Sequence, residues 1–193
     1  MDRRPTPQGR ERALLSPTVL AYVAAIVAAN VITARTLPLA LGPFLVPWGT
    51  WFIGLTLLLR DFVQLRHGRR VAYAAIAVAL LASAASSAVL RDPLAITAAS
   101  AVSFAFSESL ETEVFTRFRS VLALRIAWSG TLGSLADSVL FVTLGLSPLT
   151  TGFVPWPLVP AAIAGQYVVK TLLLAAGAAA SSTLRGWGAA AAA

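Results

Sequence analysis

The 193-residue chain contains no cysteine, a single histidine and only 12% charged residues. Without cysteine there can be no disulfide framework, no thiolate metal site and no cysteine nucleophile. The one histidine, His67, lies in the basic stretch LRHGRR and reads as a loop residue rather than a ligand or base. No apolar run therefore holds a histidine that could activate a serine such as Ser129 in AWSGTLG, which argues against an intramembrane serine protease. The carboxylate clusters that hold divalent metals for headgroup transfer are also missing, as is a glycine loop that could cradle phosphate. Neither an enzyme nor a cofactor or metal is expected.

What is abundant is apolar surface: 58% of residues are hydrophobic, and the mean hydropathy is +0.78. That composition argues against a water-soluble globule. Apolar runs bounded by charge, proline or glycine fall near 18–35, 46–65, 71–90, 94–113, 122–146 and 158–180. Each is close to the ~20 residues that a helix needs to cross a bilayer. They show no alternation of period two, and lipid leaves a chain no other way to pair its backbone, so all six are expected as helices. The fold class is accordingly all-α, a polytopic membrane protein with six transmembrane helices.

Lysine and arginine set the orientation. The N-terminal tail, the 60–70 connection (Arg60, Arg66, Arg69, Arg70), the 114–125 connection (Arg117, Arg119, Arg125) and Arg185 share one side, while the other side has Arg35 and Arg91. The positive-inside rule then places both termini in the cytoplasm of a multi-pass membrane protein, and the arginine- and alanine-rich composition suggests a bacterial one, of the inner membrane. The net charge of +7 fits loops held at an anionic leaflet, with the lipid bilayer and not nucleic acid as the partner. Residues 1–16 read as a basic cytoplasmic tail, 17–182 as the transmembrane domain and 183–193 as a low-complexity cytoplasmic tail. In the third run Ala75, Ala79, Ser83 and Ser87 form a small-residue stripe, which suits either an internal helix contact or docking of another subunit. A homo-oligomer and a monomer both remain open.

An ionisable residue inside a membrane helix costs ~2.5–3.5 kcal/mol on insertion scales, so it needs a partner or a water-filled cavity. The candidates are Asn30, Arg60, Asp61, Glu108, Glu111, Glu113, Arg125, Asp137, Gln166 and Lys170. Glu108 and Glu111, three residues apart, share a helical face with Phe104 and Phe115; so close a pair calls for a basic neighbour, for which Arg125 and Lys170 are available, or for one raised pKa. Glu113 points elsewhere and stands four residues before Arg117, as in a surface pair. Asp137 lies ~18 Å along its helix from Arg125 and suits either an ion pair with Lys170 or hydrogen bonds to a polar ligand. Asn30 and Gln166 carry both donor and acceptor groups, which fits an amide-like heterocycle edge but also plain interhelical contact.

Several ordered motifs resemble the VUT family of small bacterial membrane proteins, the queuosine precursor transporters, from about Ala29 to Lys170. They are Asn30 followed by Arg35; Pro47 and Gly49; RDFVQLRHGRRVA with Asp61, Gly68, Arg69, Arg70 and Ala72; SESLETEVFTRFR with Ser107, Glu108, Glu111, Val114, Phe115 and Arg119; Arg125 and Ser129; ADSVLF with Asp137, Ser138 and Phe141; and Gln166 with Lys170. Two departures stand out: Gln64 occupies a position where many members have glutamate, and Glu111 one where aspartate is common. The resemblance implies import of a 7-deazaguanine such as 7-cyano-7-deazaguanine by alternating access. Substrate-binding residues would be Asn30, Glu108, Glu111, Arg125, Asp137, Gln166 and Lys170, with Asp61, Gly68 and Ser129 structural or gating. The alternative is a substrate-binding membrane subunit for a vitamin or another nucleobase that works with an energising partner.

Overall fold

Helices follow the apolar runs, and their ends fall where backbone chemistry stops them. The computed structural model describes residues 7–36, 39–42, 44–91 and 94–190. A short helix α1 (Pro7–Leu14) precedes α2 (Pro17–Arg35), whose first position is a proline with no N–H to leave unpaired. A two-stranded antiparallel hairpin, β1 (Leu39–Leu41) and β2 (Phe44–Val46), turns at Gly42 with φ +58°. Helix α3 (Gly49–His67) is separated from α4 (Arg69–Leu90) by Gly68 alone, at φ +83°. Helix α4 ends on Arg91 in the left-handed region, and α5 (Leu94–Arg117) and α6 (Leu122–Phe141) follow. Helix α6 widens into a π-helical turn, Val142–Leu146, and a 3₁₀ turn, Trp156–Leu158, leads into α7 (Val159–Ala190).

Small side chains bring the helices together. Ala72, Ala75, Ile76 and Ala79 of α4 pack on Val19, Tyr22 and Ile26 of α2 and on Phe104 of α5, so the small-residue stripe is an internal contact. Helix α6 lies between α5 and α7, and α3 packs against α2 and α7. A second cluster joins Leu57, Phe115, Ile126 and Leu174; a third joins Val142, Val154, Val159 and Ala162. Large apolar residues face outward instead, among them Leu81, Val89, Leu94 and Leu172. A protein in water would bury such a surface, and lipid is its natural cover.

Among the described residues three helical segments are long and apolar enough to cross a membrane: Arg69–Leu90, Leu122–Leu146 and Trp156–Gly177. Pro17–Thr33 is a shorter apolar segment. Helices α3 and α5 have sufficient length, but each carries charges within its apolar sequence, Arg60 and Asp61 in one and Glu108, Glu111 and Glu113 in the other.

Other features differ from the sequence expectation. The hairpin occupies a stretch expected to be a plain loop, and α5 continues four residues past its expected end. His67 closes α3 instead of lying in a loop. Helix α7 extends through Arg185 into the alanine-rich tail, whose side chains lie outside the described residues, as do Arg3, Arg4 and residues 191–193.

Candidate functional site

A cavity of about 540 Å³ lies among the C-terminal half of α2, the start of α3, the last turn of α4 at Ser87, the first half of α5, the end of α6 and the first half of α7. Gly49 allows the first turn of α3 to abut α2, since a Cβ there would sit 2.5 Å from the Ala29 carbonyl oxygen. Thr36 and Pro47, which flank the hairpin, together with Phe153 and Val154 of the α6–α7 connection, line the cavity at one end. Phe104, Phe141 and Phe153 supply flat apolar wall, while Asn30, Asp137, Gln166 and Lys170 supply the polar one.

The polar wall is ordered by Lys170. Its ammonium donates to Asp137 Oδ2 at 2.5 Å, Ser138 Oγ at 3.3 Å and Gln166 Oε1 at 3.4 Å. These contacts orient the Gln166 amide: its oxygen faces Lys170, and its Nε2 is buried with no hydrogen-bond partner in the protein. Gln166 is only 2% exposed, so this nitrogen carries the penalty of an unmade hydrogen bond. Asp137 keeps 14% of its side chain exposed and lines the cavity. Asn30 Nδ2 donates to Ser83 Oγ and Ser86 Oγ of α4, so the interhelical role open to it in the sequence is realised by its nitrogen.

Beyond the cavity is a layer of buried charge. Glu108 sits one helical turn past Phe104, and Arg60 two turns past Ile53, both cavity-lining residues. Arg60, fully buried, pairs with Asp61 at 2.8 Å, with Glu108 at 3.3 Å and with Glu111. Arg60 is thus the cation beside the two glutamates, in place of Arg125 or Lys170, and it belongs to α3 rather than to the 60–70 connection. Gln64 extends the network: its oxygen accepts from Arg60 at 3.3 Å, and its Nε2 donates to Thr116 Oγ1 at 2.8 Å and to the Thr112 carbonyl at 3.3 Å. A glutamate at this position could not make the last two bonds. Glu111 Oε1 has no hydrogen-bond partner and lies against α6 where Gly133 lacks a side chain.

Arg125 acts elsewhere. It donates to the Phe115 carbonyl through Nε at 3.1 Å and a terminal nitrogen at 2.8 Å, and its guanidinium stacks 4.0 Å from the Phe115 ring centre. Ser129 donates to the Arg125 carbonyl at 2.8 Å. At the surface end of α5, Glu113 pairs with Arg69 and with Arg117 at 3.2 Å and accepts from Tyr73 at 2.6 Å. Partial burial and the adjacent Arg66 hold the His67 imidazole below its usual pKa.

Residues 83–180 match the family model described as "Putative vitamin uptake transporter", Vut_1, over just over half of the chain. The chain belongs to the VUT family. No curated protein and no solved structure matches it. The matched stretch contains Glu108, Glu111, Arg125, Asp137, Gln166 and Lys170, whereas Asn30 and Arg60 precede it. In this VUT protein, Asn30, Asp137, Gln166 and Lys170 line one cavity, and Glu108, Glu111 and Arg125 do not. The family is described as one of uptake transporters, which implies a small-molecule substrate and the lipid bilayer as partners.

Two participants carry no signal in the sequence, whereas Arg60 stands among the candidate ionisable residues of the apolar runs and only its pairing with Glu108 and Glu111 goes beyond the expectation. Tyr22, fully buried and in electrostatic contact with Glu108, is indistinguishable in sequence from an aromatic-belt residue. Phe153 lies in a connection without periodicity.

Proposed function

We propose that this protein imports a 7-deazaguanine across the bacterial cytoplasmic membrane by alternating access. The observation that carries this reading is the buried, unpartnered Gln166 Nε2 beside the Asp137 carboxylate in the cavity wall. A guanine-like edge offers a carbonyl acceptor next to N–H donors, the complement of an amide donor next to a carboxylate. Phe104 and Phe141 can sandwich the flat ring, and about 540 Å³ lies within the ~300–1,000 Å³ range of small-molecule sites. Glu108, Glu111 and Arg125 serve this reading from behind the cavity, as closure rather than as direct contacts.

In this reading helices α2 to α7 all cross the membrane, with residues 17–182 as the transport domain and both termini in the cytoplasm. Arg60, Glu108 and Glu111 neutralise one another in part, which makes α3 and α5 less costly to insert than their isolated sequences suggest. The hairpin, Trp48, Trp156 and the α6–α7 connection face outward, so the cavity opens to the outside and the charged layer closes it toward the cytoplasm.

The test is uptake in a bacterial strain that neither makes nor imports queuosine precursors, scored by queuosine in tRNA at limiting 7-cyano-7-deazaguanine. Restoration by the wild-type chain is expected. Gln166→Leu should reduce it about 10- to 100-fold, the worth of one hydrogen bond to a buried polar group, at unchanged protein level in the membrane. Asp137→Asn should abolish it. Uptake unchanged in both variants would overturn the assignment.

The family's vitamin-uptake description favours a second reading, a binding subunit for a vitamin or another nucleobase. It predicts uptake only with a co-expressed energising ATPase.

A further inference from the structure

Counting charge around the buried layer leaves it unbalanced. Asp61, Glu108 and Glu111 surround one guanidinium, that of Arg60, and all four side chains are at most 1% exposed. The wider surroundings do not repair this. Helix α7 contributes Lys170 and α6 contributes Arg125 and Asp137, so four carboxylates face three cations even when every neighbour is included. The remaining polar groups that face the layer are neutral: Tyr22 from α2, Gln64 from α3, Thr112 from α5 and Ser129 from α6. Arg69 of α4 and Arg117 share Glu113 at the exposed surface end of α5, so neither faces the buried layer. An uncompensated charge in a water-poor site costs several kcal/mol.

A second observation shows where the imbalance can be met. Glu111 Oε1 and Asp61 Oδ2 are both buried with neither a hydrogen bond nor an ion pair; Asp61 also faces Arg125 and Ser129, and Glu108 faces Tyr22, which leaves Glu111 as the carboxylate that Arg60 alone compensates. No group of side chains among the described residues has a metal-binding arrangement, and Arg60 fills the centre where a metal ion would sit. The ligand that fits an unpaired carboxylate oxygen and a surplus of one negative charge is a proton.

We infer that this layer is a proton-binding site, with Glu111 as its principal acceptor, and that its proton crosses the membrane with the solute. The inference rests on the transport reading above. One O–H bond forms on Glu111 when the proton enters and breaks when it leaves; no electrons are transferred. Protonation changes the Glu111–Arg60 clamp from an ion pair to a single-charge hydrogen bond. That loosens the tie between α3 and α5 which closes the cavity toward the cytoplasm.

Two measurements on the full chain test this. The first needs no solute: infrared difference spectra of the reconstituted protein between acid and alkaline pH. A protonated-carboxyl C=O band that titrates in the wild type and is lost in Glu111→Gln is expected, with Glu111→Asp retaining it. If Glu111→Gln does not reach the membrane, Glu108→Gln should shift the band instead. Absence of any such band in the wild type overturns the inference.

The second uses proteoliposomes with labelled 7-cyano-7-deazaguanine and an alkaline interior. The wild type should accumulate the base about tenfold per unit of pH gradient, the equilibrium ratio for one proton per neutral solute, and lose this on addition of a protonophore. Glu111→Gln should equilibrate the base without accumulating it. Wild-type uptake that ignores the gradient overturns coupling while leaving transport intact. A wild type that shows the band yet carries no 7-deazaguanine overturns the solute assignment and supports the proton site.

Discussion

Lys170 is held by three oxygens in a site where it is 1% exposed. Removing its carboxylate partner strands a buried ammonium, so Asp137→Asn carries a structural cost of about 3 kcal/mol besides its effect on the solute. The double variant Asp137→Asn with Lys170→Met removes both charges. It should recover most of the thermal stability lost by the single variant, measured in detergent, while uptake stays absent. If the double variant regains uptake, the pair is purely structural. This pair was legible from sequence because each member stands alone in an apolar run and has few partners to choose from. The partners of Arg60 were not: near the end of its run Arg60 reads both as an intramembrane candidate and as a connection cation, and the continuation of α3 to His67 places it about 10 Å inside the helix, within reach of Glu108 and Glu111.

At the scale of elements, two glycines do unlike work. Gly68 joins α3 to α4 at φ +83° and ψ 170°, a conformation that costs a side-chain-bearing residue about 1–3 kcal/mol. Gly133 makes room for Glu111, whose carboxyl carbon would lie 2.3 Å from a Cβ there. Gly133→Ala should therefore push α6 from α5 and lower stability by about 1–3 kcal/mol, and it should disturb the titrating infrared band, whereas Gly68→Ala should lower stability and leave the band in place. The long helices were readable because apolar length is the property that lipid selects. The hairpin was hidden because three-residue strands flanked by proline are too short to show alternation. What holds it is distant in sequence: Phe44 packs on Gly165 of α7.

The whole molecule has one cavity end near the hairpin and a cluster of arginines at the opposite ends of the helices. With no cysteine to remove, single cysteines can report this polarity directly. Phe153→Cys should react with an impermeant maleimide from outside intact cells, and Arg117→Cys only after the membrane is opened; the reverse pattern would invert the proposed orientation. The clustering of the arginines is plain in the sequence, but the cavity is not, since its walls come from six helices whose contacts no local pattern encodes. The position of the charged layer also has an electrical consequence. Water in the cavity would carry the outside potential down to Lys170, so a transmembrane voltage would fall chiefly across the short, dry stretch holding Arg60 and Glu111. Each elementary charge crossing it would gain about 2.3 kcal/mol per 100 mV, and import of a neutral base with a proton would register as inward current.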